Sequence, residues 1–171
     1  MRVITPPESA PVSVADLAAQ LHFDDAEAPM IEALIAAATD VVETATNRPM
    51  VSRVVDIDLP SGSWNTFWLP CAPVAELVDA AGGELLTGFD EPRFVRGAFD
   101  GDRIRARVGY GLPSDTPPRL RQAIILLVKE WRDASITIEQ AYSAPQISFG
   151  VRALLRQSRY RRPRVVSDGC P

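Results

Sequence analysis

VSRVVDIDL, residues 51–59, is where the texture of this 171-residue chain changes. Alternation sets Asp56 and Asp58 on one side of an extended strand and Val55, Ile57 and Leu59 on the other, the two-residue period of a pleated strand. RIRARV, residues 103–108, repeats the pattern with the opposite sign: Arg103, Arg105 and Arg107 oppose Ile104, Ala106 and Val108. Between them, WNTFWL, VAELVDA and RFV are short β-branched and aromatic runs parted by Pro, Gly and Asp, which predicts a small antiparallel sheet over about 51–110. DAAGGELL and GAFDGDR carry the Gly-Gly and Asp-Gly pairs of hairpin turns.

On either side of this insertion the period changes to that of helices. VSVADLAAQLHF places Val14, Leu17, Ala18 and Leu21 on one face, and Ser13 with Asp16 forms a capping box. APMIEALIAAATDVVETATNRP carries the apolar stripe Ile31, Leu34, Ile35, Ala38, Val42 and Ala45, with Pro29 in its first turn and Pro49 beyond its end. In TPPRLRQAIILLVKEWRDA, Thr116 is the expected cap, and Leu120, Ile124, Leu127, Val128 and Trp131 face one way. Ile125 and Leu126 widen that apolar surface, which predicts a central helix. ASITIEQAYSAPQIS reads as a helical turn and a loop, followed by a last short helix over about 151–160. The predicted fold class is mainly α: a bundle of about four or five helices with a small antiparallel β insertion at about 51–110 and an extended C-terminal arm, divided into a body of residues 1–150 and an arm of 151–171.

Charge is distributed unevenly. Residues 1–100 carry 5 basic and 16 acidic side chains and residues 101–171 carry 13 and 6, so a formal charge of -4 conceals regions of -11 and +7. Such asymmetry suits complementary contacts between copies or with a partner. No run of about 18 apolar residues is present, and MRVITPPESAP lacks the apolar stretch of a secretory signal, so a cytoplasmic protein without a membrane span is expected. Cys71 and Cys170 are too few and too far apart for a disulfide framework or a zinc site.

Catalytic constellations are weak, and no catalytic residue, cofactor or metal is expected. His22, the single imidazole, ends a short helix and reads as a partly exposed packing residue. Asp24, Asp25 and Glu27 lack the alternating oxygens and central Gly of a calcium loop. GYGLPSD has no lysine and leads into a proline-started helix, not a phosphate cradle. Asp56 and Asp58 could act as paired carboxylates, but two residues apart on a wet strand face they read as cross-strand partners. Trp64, Phe67 and Trp68 read as packing of a small sheet in preference to a base-stacking platform, because basic residues are missing from that stretch.

The end of the chain, SFGVRALLRQSRYRRPRVVSDGCP, holds six arginines (Arg152, Arg156, Arg159, Arg161, Arg162 and Arg164) and no acidic residue between the first and the last. A helix of about ten residues is marginal alone, so this arm is expected to order only when many copies seat together on another protein. DNA is an alternative partner for the arginines, with steep salt dependence. The leucines, the tyrosine and the acidic remainder fit a protein surface better.

Four segments taken in order, ITPPESAPVSVADLAAQLHFDD, MIEALIAAATDVVETATNRPM, VGYGLPSDTPPRLRQAIILLVKEWRDA and SFGVRALLRQSRY, resemble the head-to-tail connector (adaptor) proteins of long-tailed phages, prophages and gene transfer agents. The likeness covers residues 3 to about 160. It implies a structural protein of a phage or phage-like particle at the head–tail junction, made in the bacterial cytoplasm and assembled as a ring of roughly twelve copies under the portal. It also implies a stopper or tail-terminator protein on the opposite face, and DNA passing through the channel without sequence-specific binding. The portal-binding positions it implies are Val151, Arg152, Leu154, Leu155, Arg156, Arg159, Tyr160, Arg161, Arg162 and Arg164. RRPRVVSDGCP is longer and more basic than the family pattern. A ring needs one patch to meet a different patch on the neighbour, and Asp56 and Asp58 facing Arg103, Arg105 and Arg107, within a subunit or across a boundary, are the candidates. A chain cut after Ser148 is expected to keep a folded body and lose the portal.

Overall fold

A computed structural model describes residues 1–88, 90–134 and 147–162, and groups them into two compact units. One is built on strands, from the described residues of 1–8, 47–110 and 160–162; the other is helical, from those of 9–46 and 111–159.

The strand unit holds β1 (Arg2–Thr5), β2 (Arg53–Asp58), β3 (Thr66–Trp68), β4 (Val74–Asp79), β5 (Glu84–Leu86), β6 (Arg93–Val95) and β7 (Arg103–Val108). They form a four-stranded sheet in the order β1-β2-β7-β4 and a three-stranded sheet in the order β3-β6-β5, with antiparallel pairing throughout. Val55 and Ile57 of β2 and Ile104, Ala106 and Val108 of β7 alternate inward, as their two-residue period dictates, and meet Phe67, Leu69, Cys71, Val74 and Phe94 in one core. Phe94 makes an edge-on contact with Phe99 at 5.4 Å between centroids, a favoured aromatic geometry.

Four helices make the other unit among the described residues: α1 (Val14–Leu21), α2 (Ala28–Thr46), α3 (Pro118–Asp133) and α4 (Phe149–Ser158). The box expected at α1 forms, with Asp16 N–H donating to Ser13 Oγ at 3.1 Å and Ser13 N–H donating to Asp16 Oδ2 at 3.0 Å. α2 buries Ile31, Leu34, Ile35, Ala38 and Val42; α3 buries Leu120, Ile124, Leu127, Val128 and Trp131. Both are the stripes that the 3.6-residue period selects. Arg132 ties the start of this unit to α3, donating to the Leu21 carbonyl at 3.2 Å and to Glu27 Oε2 at 2.8 Å.

The mainly-α expectation is corrected: among the described residues, seven strands in two sheets beside four α-helices make an α+β fold. The β region is no accessory, since ten buried residues give it a core of its own. It also recruits β1 from RVIT, a four-residue run cut off by Pro6 and Pro7 and too short to show a period. Two local expectations change as well. The Gly-rich pieces turn the chain, with Gly83 N–H donating to the Ala80 carbonyl at 3.0 Å, yet they join strands of different sheets and close no hairpin. A Cβ on Gly83 would lie 2.3 Å from the Phe94 ring, so packing demands glycine there. Thr116 does not cap α3: its hydroxyl is buried without a hydrogen-bond partner, and Pro117 precedes the first turn. The stretch expected as a helical turn and loop lies largely outside the described residues.

Candidate functional site

Antiparallel register places Asp56 of β2 opposite Arg105 of β7, and Asp58 opposite Arg103. Arg105 grips Asp56 with two bonds, Nε to Oδ1 at 2.7 Å and Nη2 to Oδ2 at 3.2 Å. This fork geometry is the strongest that a guanidinium and a carboxylate can make. Arg103 Nε donates to Asp58 Oδ1 at 2.8 Å. Arg107 faces Val54 on β2, so it turns to the other neighbour and donates from Nε to Glu76 Oε1 of β4 at 2.7 Å. All five strand candidates are therefore paired within one chain. The Arg105 hydrogen bonds hold the Asp56 carboxyl below its ordinary range against the opposing effect of burial, with Arg103 and Arg2 adding to the pull. Contrary to the wet face expected for it, Asp56 is buried, because β1 runs along β2 with Arg2 in register beside it.

The aromatic cluster belongs to the same unit. Phe67 and Phe94 are buried, Trp64 Nε1 donates to the Pro60 carbonyl at 2.8 Å, and the Arg96 guanidinium lies 5.0 Å from the Trp64 ring. Arg93 covers Trp68 in the same way at 4.9 Å. The exposed ring faces thus meet arginines from β6 and the turn after it, a cation–π arrangement in a region whose own stretch of sequence is uncharged.

The C-terminal segment has two parts. Ser148 caps α4, its Oγ accepting from Val151 N–H at 3.3 Å, and Ser148 N–H donates to Glu130 Oε2 of α3 at 3.3 Å. Val151 and Leu155 are buried against α2 and α3, and Leu154 is half-buried. Arg152, Arg156 and Arg159 point outward. So does Phe149, 87% exposed, a residue missing from the sequence-based set. Its place in the first turn, two residues before the buried stripe begins at Val151, is the signal that could have found it.

Tyr160 then enters the strand unit. Its hydroxyl donates to the Leu69 carbonyl at 3.0 Å and its own carbonyl accepts from Asn47 Nδ2 at 3.2 Å. Burial pushes the phenol up to about 12. Arg161 and Arg162 are exposed, and the Arg162 guanidinium sits 4.3 Å from the Phe67 ring centroid. Arg164 lies outside the described residues. In this conformation Val151, Leu155 and Tyr160 are occupied by the chain's own packing, and the arginines around them provide the accessible surface.

His22 caps the end of α1 in the left-handed region, at φ 44, with its side chain exposed. Among the described residues no group of His, Cys, Asp and Glu is placed to hold a metal ion, and no helix is long and apolar enough to cross a membrane.

No protein-family model and no curated protein matches the chain. Solved structures do. A chain of the neck of an empty gene transfer agent (GTA) particle, computed with C6 symmetry, is 24% identical and superposes with a TM-score of 0.77 over 97% of this chain and 98% of its own. A chain of the virion of a native GTA particle gives 24% identity and a TM-score of 0.74 over 96% and 97%. A third, from the neck of a native GTA particle computed with C12 symmetry, gives 24% and 0.71 over 97% and 98%. The likeness read from four sequence motifs thus holds in three dimensions, and the chain has, almost end to end, the fold of a protein found in the necks of gene transfer agent particles.

Proposed function

We propose that the chain is a structural component of the neck of a phage-like particle. More finely, it is the adaptor ring that sits under the portal, prolongs the DNA channel and offers its other face to a stopper or tail-terminator protein. The carrying observation is the near-complete superposition on a neck chain, at a TM-score of 0.77 over 97% of one chain and 98% of the other. Neck structures computed with C6 and C12 symmetry support a ring.

The outward face of α4 supports portal docking. An exposed aromatic beside three arginines is the composition of an interface anchor, where aromatic and Arg residues are enriched. Arginines left lining a channel would grip passing DNA through its phosphates, so the reading assigns Phe149, Arg152, Arg156 and Arg159 to acidic and apolar ground on the portal. Charge reversal at Arg152, Arg156 and Arg159, all exposed, should leave the fold intact and reduce capture by the cognate portal by more than about tenfold. Electron microscopy of the mixture and a pull-down measure it. Undiminished capture would remove α4 from the interface. Tight, steeply salt-dependent duplex binding by the wild-type chain without portal would favour the DNA-binding alternative.

A further inference from the structure

With Arg103, Arg105 and Arg107 already bound to carboxylates of their own chain, the unpaired charges among the described residues lie elsewhere. On α2 the residues at 32, 36, 40 and 44 form one exposed row, Glu32, Ala36, Asp40 and Thr44, directly opposite the buried stripe. Neither Glu32 nor Asp40 enters an ion pair among the described residues, and residues 9–46 contain no lysine or arginine. On α3 the exposed row is Arg119, Gln122, Lys129 and Asp133 around the half-buried Leu126, and Arg119 and Lys129 are likewise unpaired among the described residues. At 1.5 Å per residue, the two acids are separated by about 12 Å along their helix and the two bases by about 15 Å along theirs. The two rows are similar in length and opposite in net charge, -2 from Glu32 and Asp40 on α2 and +1 on α3, where Asp133 at the far end offsets one of the two bases.

We infer that these two faces are the halves of the contact between copies: α2 of one chain seats on α3 of the next. The inference rests on the ring reading above. A closed ring requires two different patches on each copy, and here one chain carries both. Small Ala36 and Thr44 let a neighbouring helix approach α2 closely, while Leu126 gives the α3 row an apolar centre. The contact leaves the outer face of α4 to the portal and the cross-strand ion pairs to the sheet.

The test uses the full chain and two double variants, E32K/D40K and R119E/K129E, in sedimentation velocity and negative-stain microscopy at about 0.01 M salt, where the Debye length is ~30 Å. Wild-type chain should associate into rings. Each variant alone should weaken association by more than about tenfold, because like charges then face each other. An equimolar mixture should restore rings of alternating copies, and so should the fourfold variant with both faces reversed. Neutral E32Q/D40N, which keeps the size of both side chains, provides the same reading with a smaller loss should a reversal disturb folding by circular dichroism. Variants that assemble like wild type, or a mixture no better than its parts, overturn the inference. So does a wild-type chain that stays monomeric at about 1 mM under these weakly screened conditions. In those cases the adaptor reading still stands or falls on portal capture, which does not depend on which faces join the copies. A chain whose rings respond to reversal and recovery as expected but which no portal captures would sink the adaptor reading and keep the contact.

Discussion

Tyr160 shows how much one side chain can decide. It stands just past the end of α4, yet its hydroxyl is committed to Leu69 and its carbonyl to Asn47, both more than ninety positions away along the chain. Tyr160→Phe should cost about 1–2 kcal/mol in urea denaturation, because the Leu69 carbonyl keeps its desolvation without its donor. Tyr160→Ala should cost more, about 3–5 kcal/mol, through the cavity left behind. The phenol also gives stability a pH dependence. Its folded pKa is about 12 against an ordinary value of 10.0, so the neutral form is favoured by folding. This contribution is fully present below pH 10 and is lost as pH rises through the folded value. It amounts to about 2 kcal/mol, and Tyr160→Phe should flatten the stability curve between about pH 10 and 12. Asp56 acts in the opposite direction: its depressed carboxyl contributes above the ordinary carboxylate range, and the contribution is lost as acid protonates it.

At the scale of elements, α4 is the informative case. Leu155 is buried within the helical unit, and Leu155→Ala should cost about 2–5 kcal/mol; loss of the Ser148 cap in Ser148→Ala should cost about 1 kcal/mol. Thermal melts of both variants measure it, and full stability in either would mean that the helix contributes little to the fold. The sequence made α1, α2 and α3 legible because each carries a long apolar period and its own punctuation, Ser13 with Asp16 or the prolines at 117 and 118. β2 and β7 were legible as alternating strands, and their charged residues as partners, because opposite signs two apart on facing strands have few other places to go. What was illegible is non-local. Nothing in RVIT says that it lines up beside Asp56, nothing in Arg107 says that it turns to β4, and nothing in SFGVRALL reveals Tyr160's partners. Counting only its own leucines, the arm is too poor to order alone; the hydrogen bonds of Tyr160 are to Leu69 and Asn47, residues that the arm does not contain.

The chain passes between the two units four times, after residues 8, 46, 110 and 159, so neither unit is a continuous piece of sequence. A cut after Ser148 accordingly removes α4 from one and Tyr160 from the other. The expectation of an intact body after that cut gives way to a different one: both units should lose stability together, and portal binding by the truncated chain would report folding as much as docking. The placement of the three tryptophans makes this separable by eye of a spectrometer. Trp131 is fully buried in the helical unit, while Trp64 and Trp68 are half-exposed in the strand unit. Trp131 is therefore expected to emit to the blue of Trp64 and Trp68; a Trp131→Phe chain reports the strand unit alone, and its difference from the wild-type chain reports the helical unit as denaturant rises.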